Sequence, residues 1–148
     1  CLPGATALIP ALVISGLPAD RFTFEGFLPV KKGRQTKLQE IAQSDRTVIL
    51  YESPHRLLKT LTQLSEHASL DTPVVAVREL TKLHEEAVRG SLAELIEHFT
   101  KQEPRGEFVL LIGRSSTFET KTREPLAPPS LSSGDDPRKM KRSKKWNK

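Results

Sequence analysis

The period of the apolar residues changes several times along the chain, and each change marks an element. Pro3-Gly4 reads as a turn feeding a helix that starts in Ala5-Thr6-Ala7-Leu8-Ile9 and runs to about Ser15. Gly16-Leu17-Pro18 stops it, because proline cannot continue a helix and restricts the residue before it. From Arg21 to Phe27 aromatic residues alternate at period two, a strand signal. A basic loop, Lys31-Lys32-Gly33-Arg34, leads to Gln35–Gln43, where Leu38, Ile41 and Ala42 fall at helical spacing. Thr47 to Glu52 is a β-branched apolar run, the signature of a strand buried on both faces. Ser53 as N-cap and Pro54 at the first helical position open the next helix, with Leu57, Leu58, Leu61, Leu64 and Ala68 along its apolar face. Val74–Val77 is a second buried strand, running into Arg78-Glu79, and Glu86–Gly90 a shorter one. Ser91-Leu92-Ala93-Glu94 has the capping-box pattern and opens a helix through Leu95, Ile96 and Phe99. Arg105-Gly106-Glu107 turns the chain into a last apolar strand, Phe108–Gly113. Strands and helices alternating in this way predict a layered α/β domain, a five-stranded sheet packed with about four helices.

With 148 residues, 36% hydrophobic and 28% charged, the chain holds one domain of ordinary size, and wholesale disorder is excluded. Its apolar runs fall far short of the roughly 18 residues a membrane span needs. The single cysteine, Cys1, excludes an internal disulfide framework and a cysteine-based zinc site. With no charged leader, a cytoplasmic protein is expected. The opening Cys1-Leu2-Pro3-Gly4 lacks an initiator Met and reads as the middle of a longer chain, so an N-terminal partner domain is expected to be missing. Charge divides the sequence further. Residues 1–113 carry 13 Lys+Arg against 14 Asp+Glu, whereas residues 114–148 carry 10 against 4. The sequence therefore divides into a domain at 1–114 and a tail at 115–148 that is rich in Pro, Ser and cations. The tail is expected to be largely disordered, able to grip phosphate or to serve as a solubilising terminus.

Three polar clusters flank apolar strands, where ligands of open α/β sheets bind: Tyr51-Glu52-Ser53-Pro54-His55-Arg56, Arg78 to Glu86, and Arg105-Gly106-Glu107. The second packs Arg, Glu, Thr, Lys and His into one loop and suits an anionic, hydroxyl-bearing ligand. It is equally compatible with a solvated loop held by local ion pairs. His55 suits a helix-start donor as well as a reactive group, and His67 and His98 read as surface residues. No metal-ligand spacing, phosphate loop or Gly-rich dinucleotide fingerprint is present.

The ordered set Leu2-Pro3-Gly4-Ala5-Thr6-Ala7, Ser15-Gly16-Leu17-Pro18, Asp20-Arg21-Phe22, Phe24-Glu25-Gly26-Phe27-Leu28-Pro29, Tyr51 to Arg56 and Arg78-Glu79-Leu80-Thr81-Lys82 resembles the bacterial ribosomal RNA small subunit methyltransferase I family. These are 2′-O-ribose cytidine methylases of the tetrapyrrole methylase-like superfamily. The resemblance spans about residues 2–113; Ala5 stands where the family's motif has a second proline, and the tail has no counterpart. It implies the C-terminal of two α/β domains, with S-adenosylmethionine bound in the cleft between them. Thr6 and Ala7 are then expected at the cofactor, and Tyr51, Glu52, Ala76, Glu107 and Phe108 around its adenosine, largely through their backbone. His55, Arg56, Arg78, Lys82 and His84 would face the RNA. Glu79 or Glu52 would take the hydroxyl proton, and Lys82 or Arg78 would steady developing negative charge. The partners implied are small-subunit ribosomal RNA or the small ribosomal subunit, and a second copy in a homodimer. The isolated chain is expected to fold without methylating. A tetrapyrrole methylase of the same superfamily and a non-catalytic basic-tailed RNA-binding module are the competing readings.

Overall fold

The computed structural model describes residues 4–114; the basic tail lies outside them, and so do Cys1-Leu2-Pro3. The elements are α1 (Leu8–Ser15), β1 (Phe22–Phe27), α2 (Arg34–Ala42), β2 (Thr47–Glu52), α3 (Pro54–Leu64), β3 (Pro73–Arg78), β4 (Glu86–Ser91), α4 (Leu92–Lys101) and β5 (Phe108–Ile112). The α/β class and all nine expected elements are present. The strands form one mixed sheet in the order β1-β2-β5-β3-β4. β1 runs parallel to β2, whereas β5 is antiparallel to both β2 and β3, and β4 is antiparallel to β3.

Alternation along the central strands sends side chains to both faces. On one face Val48, Leu50, Val74, Ala76, Leu110 and Ile112 meet α2, α3 and α4 through Leu38, Leu57, Leu61 and Leu95. On the other, Ile49, Val75, Val77, Val109 and Leu111 meet Ala11 and Leu12 of α1. Burial on both sides explains why these segments are almost wholly apolar. Helix α1 packs on β5, β3 and β4, and beyond it Phe22, Phe24 and Phe27 of edge strand β1 are exposed. A register shift between Phe24 and Gly26 is a bulge, which breaks strict alternation. It brings Phe24 and Phe27 to the same ring, Tyr51, at 4.9 and 5.7 Å between centroids.

Two local expectations differ. Helix α3 stops at Leu64, before Ala68. Ser53 occupies its N-cap as expected but without a side-chain cap bond; the Arg56 N–H bonds to Ser53 O at 3.1 Å, and the Glu52 carboxylate accepts the Ser53 N–H at 3.0 Å. The capping box at Ser91 forms in full, with Ser91 and Glu94 each accepting the other's backbone N–H.

Candidate functional site

Strands β1, β2 and β3 all end at one edge of the sheet, where β4 and β5 begin. The polar clusters that follow them in sequence are therefore gathered along that edge. A cleft of about 390 Å³ opens there. It brings together Ala7, Tyr51, Glu52, Glu79, Lys82, Glu107 and Phe108 of the expected site residues. Sequence reasoning missed Phe27, Val77 and Leu80, which supply much of its apolar wall. Their signal was positional, since each is the last residue or nearly the last residue of a strand or begins the loop after one. Thr6 lies in an adjoining hollow with Ala7, Pro10 and Thr81. Ala76 is not brought to the cleft. Its side chain points into the core beneath α3 and α4, because neighbouring residues of a strand face opposite ways and Val77 takes the cleft side.

Glu52 and Glu79, the two candidate proton acceptors, have different surroundings. The Glu52 side chain is 0% exposed and ion-pairs with Arg56 at 3.4 Å. Its other oxygen accepts the Thr60 hydroxyl at 2.8 Å, and Thr60 in turn accepts from Arg34 Nη2 at 2.7 Å. Arg34 also donates to Gln63 Oε1 at 2.8 Å and to Pro29 O at 3.3 Å. Burial lowers the pKa of this guanidinium, with the Arg56 charge adding to the effect and Glu52 opposing it. A carboxylate so enclosed is structural in its geometry. Arg56, expected at RNA, spends its second guanidinium nitrogen on Leu28 O at 2.8 Å.

Glu79 sits at the start of the β3–β4 loop with φ of 48°. Its N–H donates to Glu107 O at 3.0 Å, and its carboxylate accepts the Glu107 N–H at 2.9 Å. Lys82 Nζ lies 3.2 Å from both the Glu79 and the Glu107 carboxylates. The Glu107 N–H, then Lys82, hold the Glu79 carboxyl below its ordinary value. The same two carboxylates raise Lys82 above its own. At neutral pH the latch is a fixed anion and a fixed ammonium on the cleft wall. Gly106 makes it possible: with φ of 83°, a Cβ there would lie 2.7 Å from Glu79 Cγ.

Arg78, His84 and Arg105 line a separate cavity of about 330 Å³ on the far side of this latch. Arg78 Nε pairs with Glu86 at 2.8 Å. His55 is exposed in the first turn of α3. Among the described residues no group of three or more metal-ligating side chains is found, and no helix is long and apolar enough to cross a membrane.

Residues 1–96 match the family model of tetrapyrrole (corrin/porphyrin) methylases. The ribosomal RNA small subunit methyltransferase I of Synechocystis sp. is 54% identical over 112 residues, covering 75% of this chain and 40% of that protein. The chain thus spans less than half the length of that relative. Among solved structures, a cobalt precorrin-4 methyltransferase of cobalamin biosynthesis superposes with a TM-score of 0.60 at 23% identity, over 76% of this chain and 50% of that one. A uroporphyrin-III C-methyltransferase from Thermus thermophilus complexed with S-adenosyl homocysteine gives 0.54 at 22% identity, over 77% and 52%. At such identities these two report the fold.

Proposed function

The chain belongs to the tetrapyrrole methylase family, and from that premise we propose that it is the C-terminal part of an S-adenosylmethionine-dependent methyltransferase acting on a cytidine ribose 2′-hydroxyl of small-subunit ribosomal RNA. One observation carries the reading. Tyr51, Glu79, Lys82, Glu107 and Phe108, drawn from three separate stretches of sequence, line one cleft, within a span that is 54% identical to a ribosomal RNA methyltransferase. A mostly apolar cleft of this size with a few convergent polar groups suits a small-molecule ligand. In it Tyr51, Val77, Leu80 and Phe108 would hold an adenosine, with Ala7, and Thr6 in the adjoining hollow, admitting close approach from α1.

Bound there, S-adenosylmethionine supplies an activated methyl group on a sulfonium. The chain's own residues then have to align the ribose and manage its charge. Lys82, kept as an ammonium by Glu79 and Glu107, is suited to steady a phosphate or the oxygen losing its proton. Glu79 is a positioning residue in this account: its carboxylate is committed to the Glu107 N–H and Lys82, and its lowered pKa makes it a weak base. Glu52 holds the floor of the cleft. Assembly with an N-terminal partner domain, a cytoplasmic location and a homodimer belong to the same reading; the uncovered Phe22 and Phe24 surface supports self-association.

The test uses the protein joined to its N-terminal partner. Labelled methyl from S-adenosylmethionine should appear on small-subunit RNA, at a ribose linkage resistant to alkaline cleavage. Transfer to a uroporphyrin-type tetrapyrrole and none to RNA would overturn the RNA assignment.

A further inference from the structure

After β1 the chain makes a short turn, Leu28 to Gly33, whose backbone is gripped by two guanidinium groups. Arg56 donates to Leu28 O and Arg34 to Pro29 O. Both arginines are anchored below, Arg34 on Gln63 and Thr60 and Arg56 on Glu52. The Arg34 N–H closes the turn on Lys31 O at 3.2 Å. Burying such a charged network carries a desolvation penalty, and lysines that merely solvate a surface need no such bracing. What the braced turn presents outward is Lys31 and Lys32 beside Val30, all three exposed. Among the described residues neither lysine side chain has an ion pair or hydrogen bond. Nearby Lys37, by contrast, is tied to Glu25 at 3.1 Å and Glu40 at 2.8 Å. Phe27, 63% exposed, lines the cleft at the foot of this turn.

We propose that the Lys31-Lys32 turn is a phosphate-binding element for single-stranded RNA crossing the mouth of the cleft, with Arg34 and Arg56 as its positioning residues. The inference rests on the RNA reading above and names how the strand is held. The ends of β1 and β3 are separated by β2 and β5. Three inter-strand steps make about 14 Å, the length of about four stacked nucleotides at roughly 3.4 Å each. A strand gripped at Lys31-Lys32 therefore reaches the Arg78–His84–Arg105 cavity after passing the cleft.

The experiment is a titration of the 148-residue chain with a labelled, short, mixed-sequence single-stranded RNA at several salt concentrations. Each lost phosphate contact on a single strand lowers the slope of log affinity against log salt by about 0.7, so K31Q/K32Q should lower its magnitude by about 1.4. Its thermal melt should match that of the unaltered chain, because both lysines are exposed and unpaired. Lys59→Gln, which removes an exposed charge from α3, should leave the slope as it was. Arg56→Gln should reduce the slope as well, whereas a merely structural role would lower only the melting temperature. An unchanged slope in K31Q/K32Q overturns the inference and leaves the RNA reading standing. No salt-dependent RNA binding by the unaltered chain likewise overturns the inference, whereas the RNA reading itself stands or falls by the methyl-transfer test above.

Discussion

Replacing Thr60 by valine removes one hydroxyl from the buried network beneath the cleft and little else, since the two side chains are nearly equal in size. Thr60 is 0% exposed, donates to Glu52 at 2.8 Å and accepts from Arg34 at 2.7 Å. A hydrogen bond to a charged group contributes about 1.5–3 kcal/mol, and a buried partner left unsatisfied adds its own desolvation penalty. Glu52 keeps the Ser53 N–H and Arg56, and Arg34 keeps Gln63 and Pro29, so the loss sits at the low end for two bonds. Thr60→Val should therefore destabilise the chain by about 3 kcal/mol. Thr60→Ser keeps the hydroxyl and deletes one buried methyl, for about 1 kcal/mol. Urea unfolding followed by far-UV circular dichroism reads both. With a slope of about 1.5 kcal/mol/M, the valine variant's midpoint should fall by about 2 M and the serine variant's by well under half of that. A valine variant within about 1 kcal/mol of the unaltered chain, or a serine variant less stable than the valine variant, would refute the claim that this hydroxyl ties the two charges together.

Gly106→Ala should destabilise by at least the roughly 1–2 kcal/mol that a left-handed backbone costs a residue with a Cβ. Adding Glu79→Ala should recover the part due to the 2.7 Å clash, which a double-mutant cycle measures. The latch should also respond to pH at both ends. Glu79 is held below its ordinary 4.5, so its contribution is full above that value and disappears as pH falls through the lower folded pKa. Lys82 is held above 10.5, so its contribution is full below that value and disappears as pH rises through the higher folded pKa. The Glu107 amide resonance, bonded to Glu79, should titrate with a midpoint below 4.5; a midpoint at or above 4.5 would contradict the latch. In the complete enzyme Glu79→Gln should lower single-turnover methylation less than about 10²-fold, and a loss of 10²–10⁴ would restore Glu79 as the proton acceptor.

Most of the architecture was legible because both period signals are strong. The almost wholly apolar β2, β3 and β5 read as buried strands, and α3 and α4 each carry one apolar stripe ending at a turn. The β1 aromatics were read correctly as a strand. Their shared face was not legible, because the bulge at Gly26 depends on pairing with β2. Ser53 is the N-cap as expected, but its hydroxyl makes no cap bond: the Arg56 N–H it would have accepted bonds to the Ser53 carbonyl at 3.1 Å, a local geometry that no residue pattern announces. At the site, strand ends located the cleft, so Tyr51, Glu79 and Phe108 were found. Ala76 was expected at the adenosine through its backbone; its side chain faces the core, and the cleft is lined instead by that of neighbouring Val77, since strand parity depends on register. The commitments of Glu52 and Arg56 lay hidden for another reason. Thr60 lies 8 residues from Glu52 and Leu28 lies 28 from Arg56, while Arg34 acts through the Thr60 hydroxyl, 26 residues from it, and no motif announces these partners.

Strand β5 is the last element in the described sequence and the third of five across the sheet. As the chain is synthesised, β1-β2 and the β3-β4 hairpin exist before anything can join them, and β2 and β3 each present a bare, apolar edge. The sheet closes only when Phe108–Ile112 slides between them and pairs on both sides. The domain's folding is thus a zip fastened from the middle and at the end. A chain cut short before Phe108 would be two sticky half-sheets rather than a smaller version of the same fold, and quality control would meet it as an aggregation hazard.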